Sequence, residues 1–250
     1  MSAVRREEPN EGGSTGTQAA GKAELSSRPV RPFRTRPFHV ALFMTPIAFA
    51  ALTYLVWIMP LLPIDLQIAQ AVQSIDLPGF ATLMQVISWP GFAPQSIIIT
   101  LLVALTLYSF RLRWEAATSL LGTTFSGLIN QTMKVIIQRP RPPAEMVDVF
   151  SILGSYSYPS GHVMFYLSLF GFVWFLVLNL MKRSWIRSFL LGFFGGLLLL
   201  VGISRVYLGH HWATDVLGAY LLGSLILTAI LSFYGWRKTR FFVDQTRVLE

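Results

Sequence analysis

The chain has 250 residues, 53% of them hydrophobic and 13% charged, at a mean hydropathy of +0.55. Soluble domains carry about 25% charged residues, so this composition excludes an ordinary soluble domain and describes a protein built for lipid. There is no cysteine, which excludes disulfides, thiol catalysis and cysteine-ligated metals; the net charge of +8 is spread in a way that argues against nucleic acid.

Residues 1–38 form a basic tail. Its first thirty residues are rich in Gly, Ser, Glu and Arg, hold almost no large apolar side chain, and are expected to be disordered. Arg28 to Arg36 alternate with Pro and Phe and read as a juxtamembrane anchor. A secretory signal is not expected, because the first apolar run is too long for a signal core. Apolar runs near the length of about 20 residues that crosses a bilayer then recur at 39–59, 93–110, 115–137, 162–181, 187–204 and 213–235. The predicted fold is therefore an all-α, polytopic bundle of six transmembrane helices in one domain, residues 39–235, with a short tail at 236–250.

The third run carries Thr123, Thr124, Ser126, Asn130 and Gln131. Such groups must face protein or water in a bilayer, so this helix is expected to line the bundle interior. Between the first two spans, residues 65–77 and 78–88 repeat apolar side chains near helical spacing; they are predicted to be interfacial helices on the outer side. Trp89-Pro90-Gly91 supplies turn chemistry after them.

Sixteen of the twenty Lys and Arg fall on one side of a six-span topology, in the N-terminal tail, at Arg111 and Arg113, at Lys182, Arg183 and Arg187, and after span six. Residues 60–92 hold Asp65 and Asp76 and no Lys or Arg. The positive-inside rule then puts both termini in the cytoplasm of a cell-membrane protein, with the other face toward the periplasm or exterior. Four basic residues remain on that outer side against the charge bias: Lys134, Arg139, Arg141 and Arg205.

Three of these four belong to motifs. In Lys134-x6-Arg141-Pro142, the surrounding prolines fix an extended chain and present a guanidinium whose planar fork suits phosphate oxygens. Using Arg139 instead of Arg141 breaks the six-residue spacing. Pro159-Ser160-Gly161-His162 precedes the fourth span, where Ser160 can cap the helix. The helix start offers free N–H groups to an anion, and Gly161 lets the backbone come close. In Ser204-Arg205-x5-His211-x3-Asp215, four residues separate the histidine from the carboxylate, so on a helix both lie on one face. Asp215 can fix the imidazole tautomer and leave the other nitrogen free as a nucleophile. His210, five residues from Asp215, is read as structural or peripheral, and Ser204 as a capping or packing residue.

The order and spacing of the three motifs resemble the type 2 phosphatidic acid phosphatase family, over roughly residues 40–235. The resemblance implies a phosphohistidine mechanism: His211 attacks phosphorus, Asp215 orients it, and His162 protonates the leaving oxygen and later activates water. Lys134, Arg141, Arg205, Ser160 and the Gly161 amide would hold the phosphate, with no metal or other cofactor. The implied partner is a lipid phosphate within the membrane, of the phosphatidic acid, phosphatidylglycerol phosphate or undecaprenyl diphosphate type. A phosphotransferase using the same phosphohistidine, a vanadate-dependent peroxidase and a non-enzymatic scaffold or transporter are the other readings of these residues.

Overall fold

The computed structural model describes residues 36–247, and the side chains of residue 40 and of residues 42–237. The expected disorder of the first thirty residues thus lies outside the described residues. Every described element is helical. Helix α1 spans Arg36–Ile58, α2 Pro63–Gln73 and α3 Phe80–Ser88; a 3-10 turn at Trp89–Gly91 leads into α4, Ala93–Ser109. Helices α5 (Arg113–Ile137), α6 (Gly161–Leu180), α7 (Trp185–Tyr207) and α8 (Ala213–Arg247) complete the bundle. Each predicted span falls on a helix, and α8 runs on well past the predicted end at residue 235.

Length and composition mark α6, α7 and the 213–237 part of α8 as able to cross a membrane. The count reaches five if α1 with α2, bent by 98°, and α3 with α4, bent by 65°, each form one broken span. Helix α5 is long enough at 25 residues but too polar to pass the same test, for the reason visible in its sequence. Its polar groups divide by face. Ser126 and Asn130 are buried against α6 and the preceding loop, with Asn130 Nδ2 donating to Pro159 O at 3.0 Å. Thr124 and Gln131 are exposed, against expectation, and Thr124 satisfies its hydroxyl on Leu120 O at 2.9 Å within its own helix.

Helix α6 is the centre of the bundle. Val163, Tyr166, Leu169 and Phe172 are fully buried there among side chains of α3, α7 and α8. A five-residue π segment, Leu167–Gly171, interrupts its α-helical hydrogen bonding. The outer faces of α1, α4 and α7 expose Phe43, Trp57, Leu101, Leu105, Phe189 and Leu199, a surface that suits hydrocarbon and not water. The chain is a multi-pass membrane protein. The ends of α5 and α7 and the starts of α6 and α8 meet at one end of this bundle, so the three motifs converge although up to 81 residues separate Lys134 from Asp215.

Candidate active site

The end of α7 shows how local chain geometry builds the site. Gly209 N donates to Val206 O at 3.0 Å and His210 N to Arg205 O at 3.1 Å, the paired bonds of a Schellman motif. Such a motif needs a left-handed residue, and Gly209 has φ +67°. A Cβ there would lie 2.1 Å from Asp148 O, so only glycine fits. The turn also lets His211 N bond Arg205 O at 3.2 Å, which sets Arg205 and His211 side by side.

His211 therefore precedes α8 instead of lying on it, a correction to the helical reading of the His211–Asp215 spacing. Their approach comes from the helix start: Asp215 Oδ2 accepts from Trp212 N at 2.9 Å, as the third residue of a helix does in a capping box. The same oxygen accepts from Ser157 Oγ and stands 3.5 Å from His211 Nδ1; Ser157 Oγ is 3.4 Å from Nδ1 as well. His211 Nε2 points the other way, 3.2 Å from Arg141 NH1. Burial first, then the charges of Arg141, Lys134 and Arg205, hold the His211 imidazole well below its ordinary value of 6.5. It is neutral at neutral pH.

The two arginines of the Arg-Pro-Arg-Pro loop part company. Arg141 is half-buried; its Nε donates to Ser155 O at 2.6 Å, NH2 to Ser155 Oγ at 3.0 Å, and NH1 to His210 O. Burial lowers its pKa from the ordinary value and Asp215 opposes the shift. Arg139 is 1% exposed and pairs with Asp215 Oδ1 at 2.6 Å and with Asp65 Oδ2 at 2.7 Å. Asp215 was expected to pair with His211, but its ion pair with Arg139 is shorter, at 2.6 Å against 3.5 Å. Arg139, set aside in the sequence as the weaker alternative to Arg141 for phosphate, instead pairs with Asp215; Asp65 and Ser157 have no role in the sequence motifs. A signal did exist for Asp65 and Arg139, because an acid and a base next to apolar spans are each costly unless paired.

Lys134, in the last turn of α5, is buried and its Nζ donates to Tyr156 O. The loop carrying Tyr156 is thus tied to both Lys134 and Arg141. Ser160 occupies the N-cap position of α6, but its side chain makes no capping bond; its backbone N donates to Asp215 O at 3.2 Å. Gly161 packs so closely that a Cβ would sit 3.0 Å from Asn130 Oδ1. His162 stacks edge-on against Phe92, with ring centroids 4.8 Å apart, and the Arg205 guanidinium lies 5.6 Å from the centre of the same ring. Arg205 is fully buried with NH1 on Ser88 Oγ. Ser204 bonds Val201 O of its own helix at 2.7 Å, which makes it a packing residue.

Buried polar atoms are almost always hydrogen-bonded. Here Ser160 Oγ, His162 Nε2, and Nε and NH2 of Arg205 are buried and have no protein partner. A cavity of about 440 Å³ reaches His162 and Gly161 from between α4 and α5; Ile97, Leu101, Leu120 and Phe165 contribute to its mostly apolar wall.

The sequence profile of the PAP2 superfamily matches residues 115–239. The chain is 32% identical over 171 residues to phosphatidylglycerophosphatase B of Bacillus subtilis (strain 168), covering 68% of this chain and 82% of the relative. It is also 32% identical over 128 residues to an undecaprenyl-diphosphatase of Sulfolobus acidocaldarius, covering 49% of this chain and 57% of that protein. Among solved structures, the transmembrane PAP2-type phosphatidylglycerolphosphate phosphatase of Bacillus subtilis superposes with a TM-score of 0.67 at 28% identity, covering 77% of this chain and 94% of the other. LpxE of Aquifex aeolicus shares the fold, with a TM-score of 0.57 at 18% identity over 70% of this chain and 98% of its own.

Proposed function

The chain belongs to the PAP2 superfamily, and we propose that it is a metal-independent membrane phosphatase that hydrolyses a lipid phosphate or diphosphate through a phosphohistidine. The observation that carries this reading is the set of buried, unpartnered donors on Ser160, His162 and Arg205, grouped with a neutral histidine whose Nε2 touches an arginine. Leaving such donors unsatisfied costs about 1–3 kcal/mol each. A tetrahedral oxyanion would satisfy them.

In the proposed reaction, Arg141 turns from His211 Nε2 to a phosphate oxygen and frees the nitrogen lone pair. Nε2 forms the P–N bond as the P–O bond to the lipid breaks. Asp215, against Nδ1, balances the imidazolium charge that develops. The bound anion supplies the counter-charge under which His162 carries a proton, and His162 gives that proton to the departing oxygen. His162 then takes a proton from water, which attacks phosphorus and releases inorganic phosphate from His211. Lys134, Arg141, Arg205, Ser160 and the Gly161 amide hold the equatorial oxygens, since phosphoryl transfer is mainly positioning and charge stabilisation. The apolar cavity between α4 and α5 supports a substrate whose chains stay in the bilayer. Candidate substrates are phosphatidic acid, phosphatidylglycerol phosphate and undecaprenyl diphosphate, the last two matching what the named relatives act on.

We place α5 in the membrane as a further span, for a total of six, with both termini cytoplasmic and the site on the outer face. Ser151 and Ser184 are exposed and lie beyond opposite ends of α6. Single cysteines there should react with an impermeant thiol reagent in intact cells at 151 and not at 184; the reverse pattern inverts the topology. The function itself is tested with detergent-purified protein and a panel of lipid phosphates. Phosphate release that survives EDTA and is blocked by vanadate, a five-coordinate mimic of the transition state, is the expected result. Failure to release phosphate from every lipid tested, or loss with EDTA restored by Mg²⁺, overturns the reading.

A further inference from the structure

The buried ion pairs behind the site include an acid from a distant helix. Arg139 NH1 donates to Asp215 Oδ1 at 2.6 Å and to Thr214 Oγ1 at 2.7 Å. Its NH2 donates to Asp65 Oδ2 at 2.7 Å and its Nε to Pro60 O at 2.9 Å. Asp65, on α2, also accepts from Thr214 N at 2.8 Å through Oδ1 and from Thr214 Oγ1 at 2.7 Å through Oδ2. Asp65 thereby caps the first turn of α8 from 149 residues away. The three charged side chains are 0–1% exposed.

A buried ion pair is weak evidence for a stabilising role, because desolvation offsets the Coulomb gain. The detail that matters is which carboxylate is held. Both oxygens of Asp215 are committed, Oδ1 to Arg139 and Oδ2 to Trp212 N and Ser157. The carboxylate cannot turn about its own bond without breaking at least one of these, so the oxygen facing His211 Nδ1 is fixed. We propose that Arg139 and Asp65 are positioning residues for the Asp215–His211 pair. Arg139 fixes the carboxylate, and Asp65 fixes both Arg139 and the helix turn that carries it. Helix α2 is then part of the catalytic apparatus and not only a packing element on the bundle. The inference rests on His211 as the nucleophile.

Full-length Asp65→Asn, Arg139→Lys and Asp215→Asn proteins, and the Asp65→Asn/Asp215→Asn double variant, test this with dioctanoyl phosphatidic acid in detergent. Partners that orient metal-bound histidines are worth about 10–100-fold in activity, and a loss of that size is expected for partners that orient a nucleophilic histidine. Asp65→Asn should lose that much in kcat with KM within about twofold, since no group expected to touch phosphate has changed. Lysine at 139 keeps the charge but cannot span two carboxylates, so Arg139→Lys should retain a kcat between the Asp65→Asn and parent values. If Asp65 acts through Asp215, adding Asp65→Asn to Asp215→Asn should cost less than about twofold more, a failure of additivity. Thermal midpoints separate lost activity from lost fold; should Asp65→Asn fail to fold, the split between kcat and KM in Arg139→Lys still decides. Parent kcat in Asp65→Asn, fully additive losses in the double variant, or a loss confined to KM would each overturn the positioning role. Turnover by His211→Ala would instead overturn the phosphohistidine reading on which it rests.

Discussion

Two halves of the site differ in how their polar groups are satisfied. Behind His211, each charged side chain is matched: Asp65, Arg139, Asp215 and Ser157 form a closed set of hydrogen bonds. In front of it, Ser160, His162 and Arg205 hold buried atoms without partners. Ser160 and Arg205 are buried as deeply as the frame residues, so depth alone does not explain the contrast. The saturated half has the chemistry of a frame, in which geometry is set before any ligand arrives. The unsaturated half has the chemistry of a receptor, whose unmet donors a bound anion would complete. His211 stands at the seam, with Nδ1 toward the frame and Nε2 toward the receptor.

The largest expected effect lies at that seam. His211→Ala should lose at least about 10³-fold in turnover on every substrate and trap no acid-labile phosphoenzyme after rapid quench with radiolabelled lipid phosphate. Retained turnover would mean that the seam is not where phosphorus reacts. Next come the receptor groups. Arg205 is fixed by NH1 on Ser88 while Nε and NH2 are free of protein partners, so Arg205→Lys keeps charge but loses the fork. A loss of about 10²–10³-fold in kcat/KM is expected, with vanadate inhibition weakened alongside it. Unchanged vanadate inhibition would remove Arg205 from the receptor half.

His162→Ala distinguishes a proton donor from a simple phosphate contact. Loss of a positioned acid costs about 10²–10⁴-fold, and that loss should appear with lipid substrates, whose alkoxide must be protonated. It should shrink markedly with p-nitrophenyl phosphate, whose leaving group is stable without a proton. Equal losses on both substrates would make His162 one more receptor group.

How much of this contrast was legible in the sequence follows from the range of the contacts. The receptor residues sit in short motifs at helix ends, where capping, proline and charge rules act locally, and all were visible as Lys134, Arg141, Ser160, His162 and Arg205. The frame is long-range. Asp65 meets Thr214 across 149 residues, and Ser157 reaches Asp215 across 58; no spacing rule connects such pairs. Helices were readable from apolar runs, yet the π segment in α6 was not, since no spacing of apolar residues marks it. The helical model of His211 failed because the residue lies before α8, and the capping bond from Trp212 N to Asp215, not helix periodicity, brings the two together.

A smaller and more conditional effect concerns pH. A histidine displaced downward by burial and nearby cations stays neutral as pH falls through its ordinary value of 6.5, and gains a proton only well below it. In the free enzyme the nucleophile is therefore available across that range. No acid limb belonging to His211 should appear in kcat/KM between pH 7.5 and 6, once the ionisation of the substrate phosphate is corrected for. A limb centred at 6.5 that vanishes in no other histidine variant would show that His211 is not held by the receptor cations as described.

The smallest expected effect is at His210, and it sets the edge of the receptor half. Its position is ambiguous on burial alone: it is 3% exposed, and its Nδ1 lacks a partner, like the atoms of the receptor. Other observations separate it from them. Burial first, then Arg205 and Arg141, push its pKa down to about 3, so it carries no charge at neutral pH. Its Nε2 is engaged with Ser151 Oγ, in the loop before α6, at 2.8 Å. Arg141 is held by the His210 carbonyl and not by its ring, and an alanine keeps that carbonyl. His210→Ala should therefore leave kcat and KM within about threefold of the parent, in the range of substitutions that remove no charged or reacting group. A loss above about 10²-fold, the size expected for an oxyanion donor, would instead place the Nδ1 atom among the phosphate contacts and extend the receptor half to include it.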